Sequence, residues 1–248
     1  CISGLLSALP FIAWTYRNWQ TFHLFQPLAP RYATDPGEEI DPGFNRWMKT
    51  WTAEFTSTYE IYWNTNSDQM PLDKLPTRAF DSPAQRAETA ALLADYNQTA
   101  TLTPAMDDAF GRLAADRIQA NPLRYYLWLP ALRVTDMWLR PRTEMLNVEL
   151  RWWRYSEHHV ETVFATSYGA LNLFYVIAAG VGLLRWKRTG EVKLMAAMIG
   201  YLLLRDLLLA TIEAPEARYT IEGFPMLIAW AAAAFARCRV CLPSTTSS

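Results

Sequence analysis

From Val163 to Leu184 the chain runs for 22 residues without a charged side chain. At 1.5 Å per residue that is about 33 Å of helix, enough to cross a hydrocarbon core of about 30 Å. A core helix of a soluble protein keeps a polar face over such a length. This run offers only Thr166, Ser167, Tyr168 and Asn172, and the pattern predicts a transmembrane helix. Leu194–Ile212 is a second candidate, interrupted by Arg205 and Asp206. Phe224–Ala236 is a third and is short. It becomes a span if Tyr219–Gly223 extends one end while Arg237 and Arg239 snorkel at the other. Residues 1–16 carry no charge and stop at Arg17; they read as the end of a span that begins upstream in a longer membrane protein.

The segment between these runs is patterned as helices broken by turns. Prolines and Pro-Gly pairs up to Gly43 predict a loop, followed by a short helix near Phe44–Phe55 and a second break over Asn64–Pro76. Ser82-Pro83 predicts an N-cap with proline in the first turn, and Thr103-Pro104 repeats it for a helix to about Ala120. Asp107 and Asp108 fall in that helix's first turn, where the macrodipole favours them. Asn121-Pro122 caps a third helix, kinked or restarted at Pro130, with Leu123, Tyr126, Leu127, Pro130, Ala131, Val134 and Trp138 on one face. Arginines 124, 133, 140, 142, 151 and 154 accompany Trp138, Trp152, Trp153 and Tyr155 as the chain approaches its first long apolar run. Such a mixture predicts an interfacial belt, the other reading being the aromatic core of a soluble bundle. The fold class expected is all-α: polytopic membrane helices plus a mainly helical extracytoplasmic domain.

Charge orders these pieces. The chain is 51% apolar with net charge −1 and a mean hydropathy of −0.05, averages that hide a division at Thr162. Residues 1–161 carry −4 and residues 162–248 carry +3. The near-neutral total argues against a nucleic-acid partner. The loop Arg185–Lys193 is net +3 and the loop Glu213–Glu222 net −2. Because basic loops stay in the cytoplasm, residues 17–162 are expected outside a bacterial inner membrane. Four regions follow: residues 1–16, the outer domain 17–162, three spans over 163–242, and a cytoplasmic tail 243–248.

Candidate chemistry is sparse. Glu157, His158, His159 and Glu161 invite a metal, but adjacent histidines on a helix point about 100° apart, and a solvated helix start explains them as well. No motif calls for a cofactor, and the residues leave a divalent metal open. Asn97-Gln98-Thr99 matches a glycosylation sequon, and Cys238 and Cys241 form a lone CxxC, most simply reduced thiols. Arg205 and Asp206 are costly inside a span and generally face a bundle interior or polar cavity. They either fasten helices together or line a cavity for a charged headgroup. In the outward loop, Arg218 could fork onto a phosphate or carboxylate. Arg17 is expected at the same outer level. Two such arginines suit a lipid phosphate and equally suit headgroup anchoring.

Pro10–Asn18 (PFIAWTYRN), Pro215–Tyr219 (PEARY) followed by Pro225, and Asn121–Tyr125 (NPLRY) with Trp138–Arg142 (WLRPR) carry a resemblance. With these pieces the chain resembles the C-terminal portion of a bacterial GT-C membrane glycosyltransferase, of the dolichyl-phosphate-mannose–protein mannosyltransferase and aminoarabinose-transferase superfamily. The resemblance implies sugar transfer from a polyprenyl-phosphate donor to an extracytoplasmic acceptor. The implied partners are the bilayer, that donor, and an N-terminal membrane half of the same protein. The family's catalytic base lies in its first outer loop, upstream of Cys1, so no catalytic residue is assigned. Arg17, Arg218 and Tyr219 match motif positions and would touch the lipid phosphate or shape the acceptor cavity. The alternative is a non-catalytic, membrane-anchored helical module in envelope assembly or sensing.

Overall fold

The computed structural model describes residues 2–23, 25, 40–144, 146, 148–189 and 192–236. Among them every regular element is helical. The chain divides into two compact units at Pro42–Gly43. The first holds α1 (Ile2–Phe22), which contains Pro10 and continues a turn beyond Arg17, where the charge pattern had placed the end of the apolar run.

The second unit starts with a helical domain. Instead of one helix over Phe44–Phe55, there are two: α2 (Pro42–Lys49) and α3 (Phe55–Glu60). A 3-10 turn over Leu72–Lys74 falls within the expected break and another, Thr77–Ala79, follows it; then come α4 (Pro83–Thr99) and α5 (Pro104–Ala120). The expected caps form: Ser82 Oγ accepts from the Gln85 N–H at 3.1 Å, and Thr103 Oγ1 from the Met106 N–H at 3.3 Å. Asp107 does more than face its own helix dipole. Its carboxylate accepts from the N–H groups of Gly43 at 3.0 Å and Phe44 at 2.8 Å, capping α2 from across the domain. That approach brings the two backbones so close that a Cβ on Gly43 would overlap the Asp107 carbonyl. Phe44, Trp47, Trp51, Tyr96 and Phe110 fill the core between these helices. Asn97 of the sequon is spent internally, exchanging hydrogen bonds with the Met70 backbone at 2.7 and 3.1 Å.

The chain then makes a π-helical turn over Arg124–Trp128 before α6 (Leu129–Leu139), with Pro130 in the first turn of α6. A π turn holds more residues than an α turn, so it shifts the helical phase. The buried residues of α6 are Leu129, Arg133 and Met137, while Leu123, Tyr126, Leu127 and Trp128 point outward. The single apolar face expected from Leu123 to Trp138 is therefore not formed.

Three apolar helices complete the unit: α7 (His159–Thr189), α8 (Val192–Leu209) and the shorter α9 (Phe224–Phe235), with a 3-10 segment Ala217–Gly223 leading into α9. Among the described residues one stretch, His159–Trp186, is long and apolar enough to cross a membrane. α7 and α9 pack along each other through Ala178, Ala179, Leu227, Trp230 and Ala231. Gly182 permits the approach, since a Cβ there would fall on the Trp230 carbonyl. Asn172 and Phe224 both meet Arg142, and farther along Arg185 reaches the Ala234 carbonyl, so the two helices run the same way. Cys238, Cys241, Arg237 and Arg239 lie outside the described residues.

Two stability predictions follow from the backbone. Ala100 closes α4 in the left-handed region (φ 50°, ψ 35°), where glycine carries no Cβ penalty; Ala100→Gly should raise stability by roughly 0.5–1 kcal/mol. Gly182→Leu should separate α7 from α9 and cost about 1–3 kcal/mol. Both are read as shifts in thermal unfolding midpoint of the detergent-solubilised chain.

Candidate functional site

Polar side chains gather where the end of α6 meets the middle of α7, the last turn of α8 and the start of α9. Trp138, in the last turn of α6, stacks on Phe224 with ring centroids 5.9 Å apart and donates from Nε1 to Asp206 Oδ1 at 2.9 Å. A Cβ on Gly223 would come within 2.6 Å of its ring, so glycine there admits the indole. Asn172 of α7 donates to the Trp138 carbonyl at 2.5 Å and accepts from Arg142 Nη1 at 3.1 Å. Arg142 Nη2 donates to Thr220 Oγ1 at 2.6 Å and to the Met137 carbonyl at 3.5 Å, with the guanidinium 4.1 Å over the Phe224 ring.

The expected site residues divide between the units. Arg205 and Asp206 have different partners, as adjacency on a helix requires. Asp206 takes the Trp138 indole; Arg205 Nη2 meets Glu222 at 3.1 Å and the Tyr219 carbonyl at 3.3 Å. Both therefore fasten α8 to neighbouring segments. Arg218 Nε lies 2.5 Å from Glu216 Oε2, and the Tyr219 hydroxyl donates to Glu216 Oε1 at 2.7 Å. Glu216 is buried and holds both residues; its charge is the main reason the Arg218 guanidinium is raised above its usual pKa, while burial first and then Glu216 raise Tyr219. Arg17 belongs to α1 in the first unit, 5.5 Å over the Trp14 ring and within 3.4 Å of Asn18 Oδ1.

Most of the arginines expected to form a belt have partners within the protein, and Arg133 is buried. Arg124 forks onto Asp81 at 2.6 and 2.8 Å, and Arg151 onto Glu60 at 3.0 and 2.6 Å. Arg133 is buried against backbone carbonyls of Thr52 (2.9 Å), Ala210 (3.4 Å) and Lys49; burial pulls it down to about 10, against Tyr125 and Glu213, which raise it. Trp153 and Tyr155 remain exposed, whereas Trp138 is occupied as described. The signal for this cluster was partly present in the sequence, since Asn172 is one of few polar groups in the longest apolar run. Nothing in the sequence ties Arg142 to it from 30 positions away.

On the opposite side of α6, burial pushes the Asp136 carboxyl up to about 6, with Glu54 and Glu144 adding to the rise and Arg140 and the Phe55 N–H opposing it. Sequence reading did not single out this residue. Elsewhere His158 lies 3.9 Å from Glu157 and 3.7 Å from Glu161. Among the described residues no group of three His, Cys, Asp or Glu side chains could hold a metal ion. Comparison with protein-family models, curated proteins and solved structures gives no match.

Asp136 sets a pH dependence. Its folded pKa, about 6, exceeds the unfolded value, so its contribution is most favourable below about pH 4 and is lost as pH rises through 6. Asp136→Asn should therefore stabilise the protein by roughly 1–2 kcal/mol at pH 7. That gain should shrink to nothing near pH 4, as measured by unfolding midpoints of the two proteins across this range.

Proposed function

We propose that this chain is the C-terminal portion of an integral-membrane glycosyltransferase that takes sugar from a polyprenyl-phosphate donor. α8 and α9 accompany α7 across the bacterial inner membrane, and the helical domain lies on the extracytoplasmic side, where the acceptor is met. The observation that supports this reading is the segment Glu213–Gly223 at the mouth of the helix cluster. Its Arg218 is half-exposed (49%) above a buried Glu216 (4%). Glu216 and Tyr219 orient the guanidinium, leaving its outer edge to meet a phosphate in a bidentate manner. Arg142, whose hydrogen bonds go to neutral acceptors, adds positive charge near the start of α9, which suits a doubly substituted phosphate. Proton abstraction from the acceptor falls to the N-terminal half that the resemblance implies.

A second reading, a non-catalytic membrane-anchored helical module, draws on the helical domain's own aromatic core around Trp47 and Phe110. The full-length protein in native membranes separates the two. Incubated with polyprenyl-phosphate-linked sugars, it should release polyprenyl phosphate when an acceptor is present. Arg218→Ala should lower kcat/KM for the donor by about tenfold or more, the loss expected for a charge-assisted pair. No turnover by the wild-type protein with any such donor would favour the second reading, and unchanged kinetics in the variant would remove Arg218 from the site.

A further inference from the structure

Leu123, Tyr126, Leu127 and Trp128 are 72, 68, 67 and 62% exposed, and all four lie in the π turn or directly before it. Leu123 and Leu127 stand about one turn apart, with Tyr126 and Trp128 on either side of Leu127. The turn itself puts them outside. At α-helical pitch the buried row Leu129, Arg133 and Met137 would carry Tyr126 onto the inner face of α6. The wider π turn shifts the phase and gives that place to Tyr125, half-buried within electrostatic reach of Arg46, Arg133 and Glu213. Arg124 is drawn aside by its fork onto Asp81. The outward surface is left with two leucines, a tyrosine and a tryptophan, and no charge.

A contiguous apolar surface of this kind marks a contact, and its place in the fold says with what. α8, at 18 residues, is about 27 Å long, close to the thickness of a hydrocarbon core, and Lys193 marks its basic end. When α8 crosses with that end in the cytoplasm, Ala210–Glu213 emerges at the depth of the outer headgroups. The π turn and α6 are tied to this exit. Arg133 donates to the Ala210 carbonyl at 3.4 Å, Glu213 lies 3.6 Å from Lys49, and Tyr125 is within reach of both Arg133 and Glu213. Leu207 and Leu208, exposed in the last turn of α8, reach the same exit. Tyrosine and tryptophan, each with an apolar body and a polar tip, settle at this level of a bilayer.

We infer that the π turn is an interfacial foot: Leu123, Tyr126, Leu127 and Trp128 enter the outer leaflet at the headgroup–acyl boundary beside α8 and hold the helical domain against the bilayer. The inference rests on α8 crossing the membrane as proposed above and is independent of sugar transfer.

The test uses the full-length protein with its native cysteines replaced by serine. Lys193→Cys and Thr211→Cys, exposed at the two ends of α8, report its crossing through an impermeant maleimide applied to intact and lysed spheroplasts. Thr211→Cys should react from outside and Lys193→Cys only after lysis; reaction of both from one side would remove the crossing and the inference together. In nanodiscs of phosphatidylcholine and phosphatidylglycerol, nitroxides on Leu123→Cys and Leu127→Cys should be relaxed more by oxygen, which concentrates among acyl chains, than by a water-soluble nickel chelate. A nitroxide on Glu88→Cys, exposed on α4, should show the reverse order. Nickel dominating at Leu123→Cys and Leu127→Cys as it does at Glu88→Cys, with α8 shown to cross, would overturn the inference and leave the membrane reading standing. Shielding of both labels from both reagents would overturn it too, since a second copy or the N-terminal half would then cover this surface.

Discussion

Arg133 binds together the two halves of the second unit. Its guanidinium is buried, and it spends its donors on the carbonyls of Lys49 and Thr52, just at and beyond the end of α2, and of Ala210, just past the end of α8. The last carbonyls of a helix have no intrahelical partner and carry the negative end of its dipole, so one cation meets the needs of two helix ends at once. Removing it would strand three buried acceptors, the costly side of the hydrogen-bond balance. Arg117 does similar work within the helical domain, donating to Thr50 Oγ1, Gln85 Oε1 and the Arg78 carbonyl while lying 3.2 Å from Asp81. Desolvation lowers both arginines to about 10, far enough above neutral pH that they stay charged.

Because Arg133 fixes α6 against the end of α8, the last turn of α6 is delivered to a set place among the long helices. Trp138 and the residues just after it then reach Asp206, Asn172 and Thr220. Polar groups in the apolar helices that would be costly alone become hydrogen-bonded through this contact. Asp206 is satisfied by an indole N–H and Arg205 by Glu222 and a carbonyl. The Glu216–Arg218–Tyr219 triad lies beside this junction, through the Tyr219 carbonyl and Thr220, so its placement depends on the same crossing.

Much of the element order was legible in the sequence. The caps at Ser82 and Thr103 act over three residues and form as expected, and the apolar runs near Val163, Leu194 and Phe224 each yield a helix. Failures occurred where a distant group set the outcome. Asp107 was read by its local dipole, yet it caps a helix through the N–H of Gly43, 64 residues earlier. The apolar face drawn from Leu123 to Trp138 assumed a uniform period, and the π turn at Arg124–Trp128 broke it. The arginines near the long helix were read as headgroup anchors, and most have specific partners instead.

By itself, the sequence determined that the chain is helical, where the capped helices α4 and α5 begin, and that the run from Val163 to Leu184 lies in a helix long and apolar enough to cross a membrane. Those properties arise from short-range periodicity, capping and hydrophobicity, all local to a few turns. Only the tertiary structure decided which charges are neutralised and which remain available. Glu60 takes Arg151 and Asp81 takes Arg124, while the hydrogen bonds of Arg142 go to neutral acceptors. A charge acts over ångströms of space and not over sequence positions, so its fate is set by whatever the fold carries next to it.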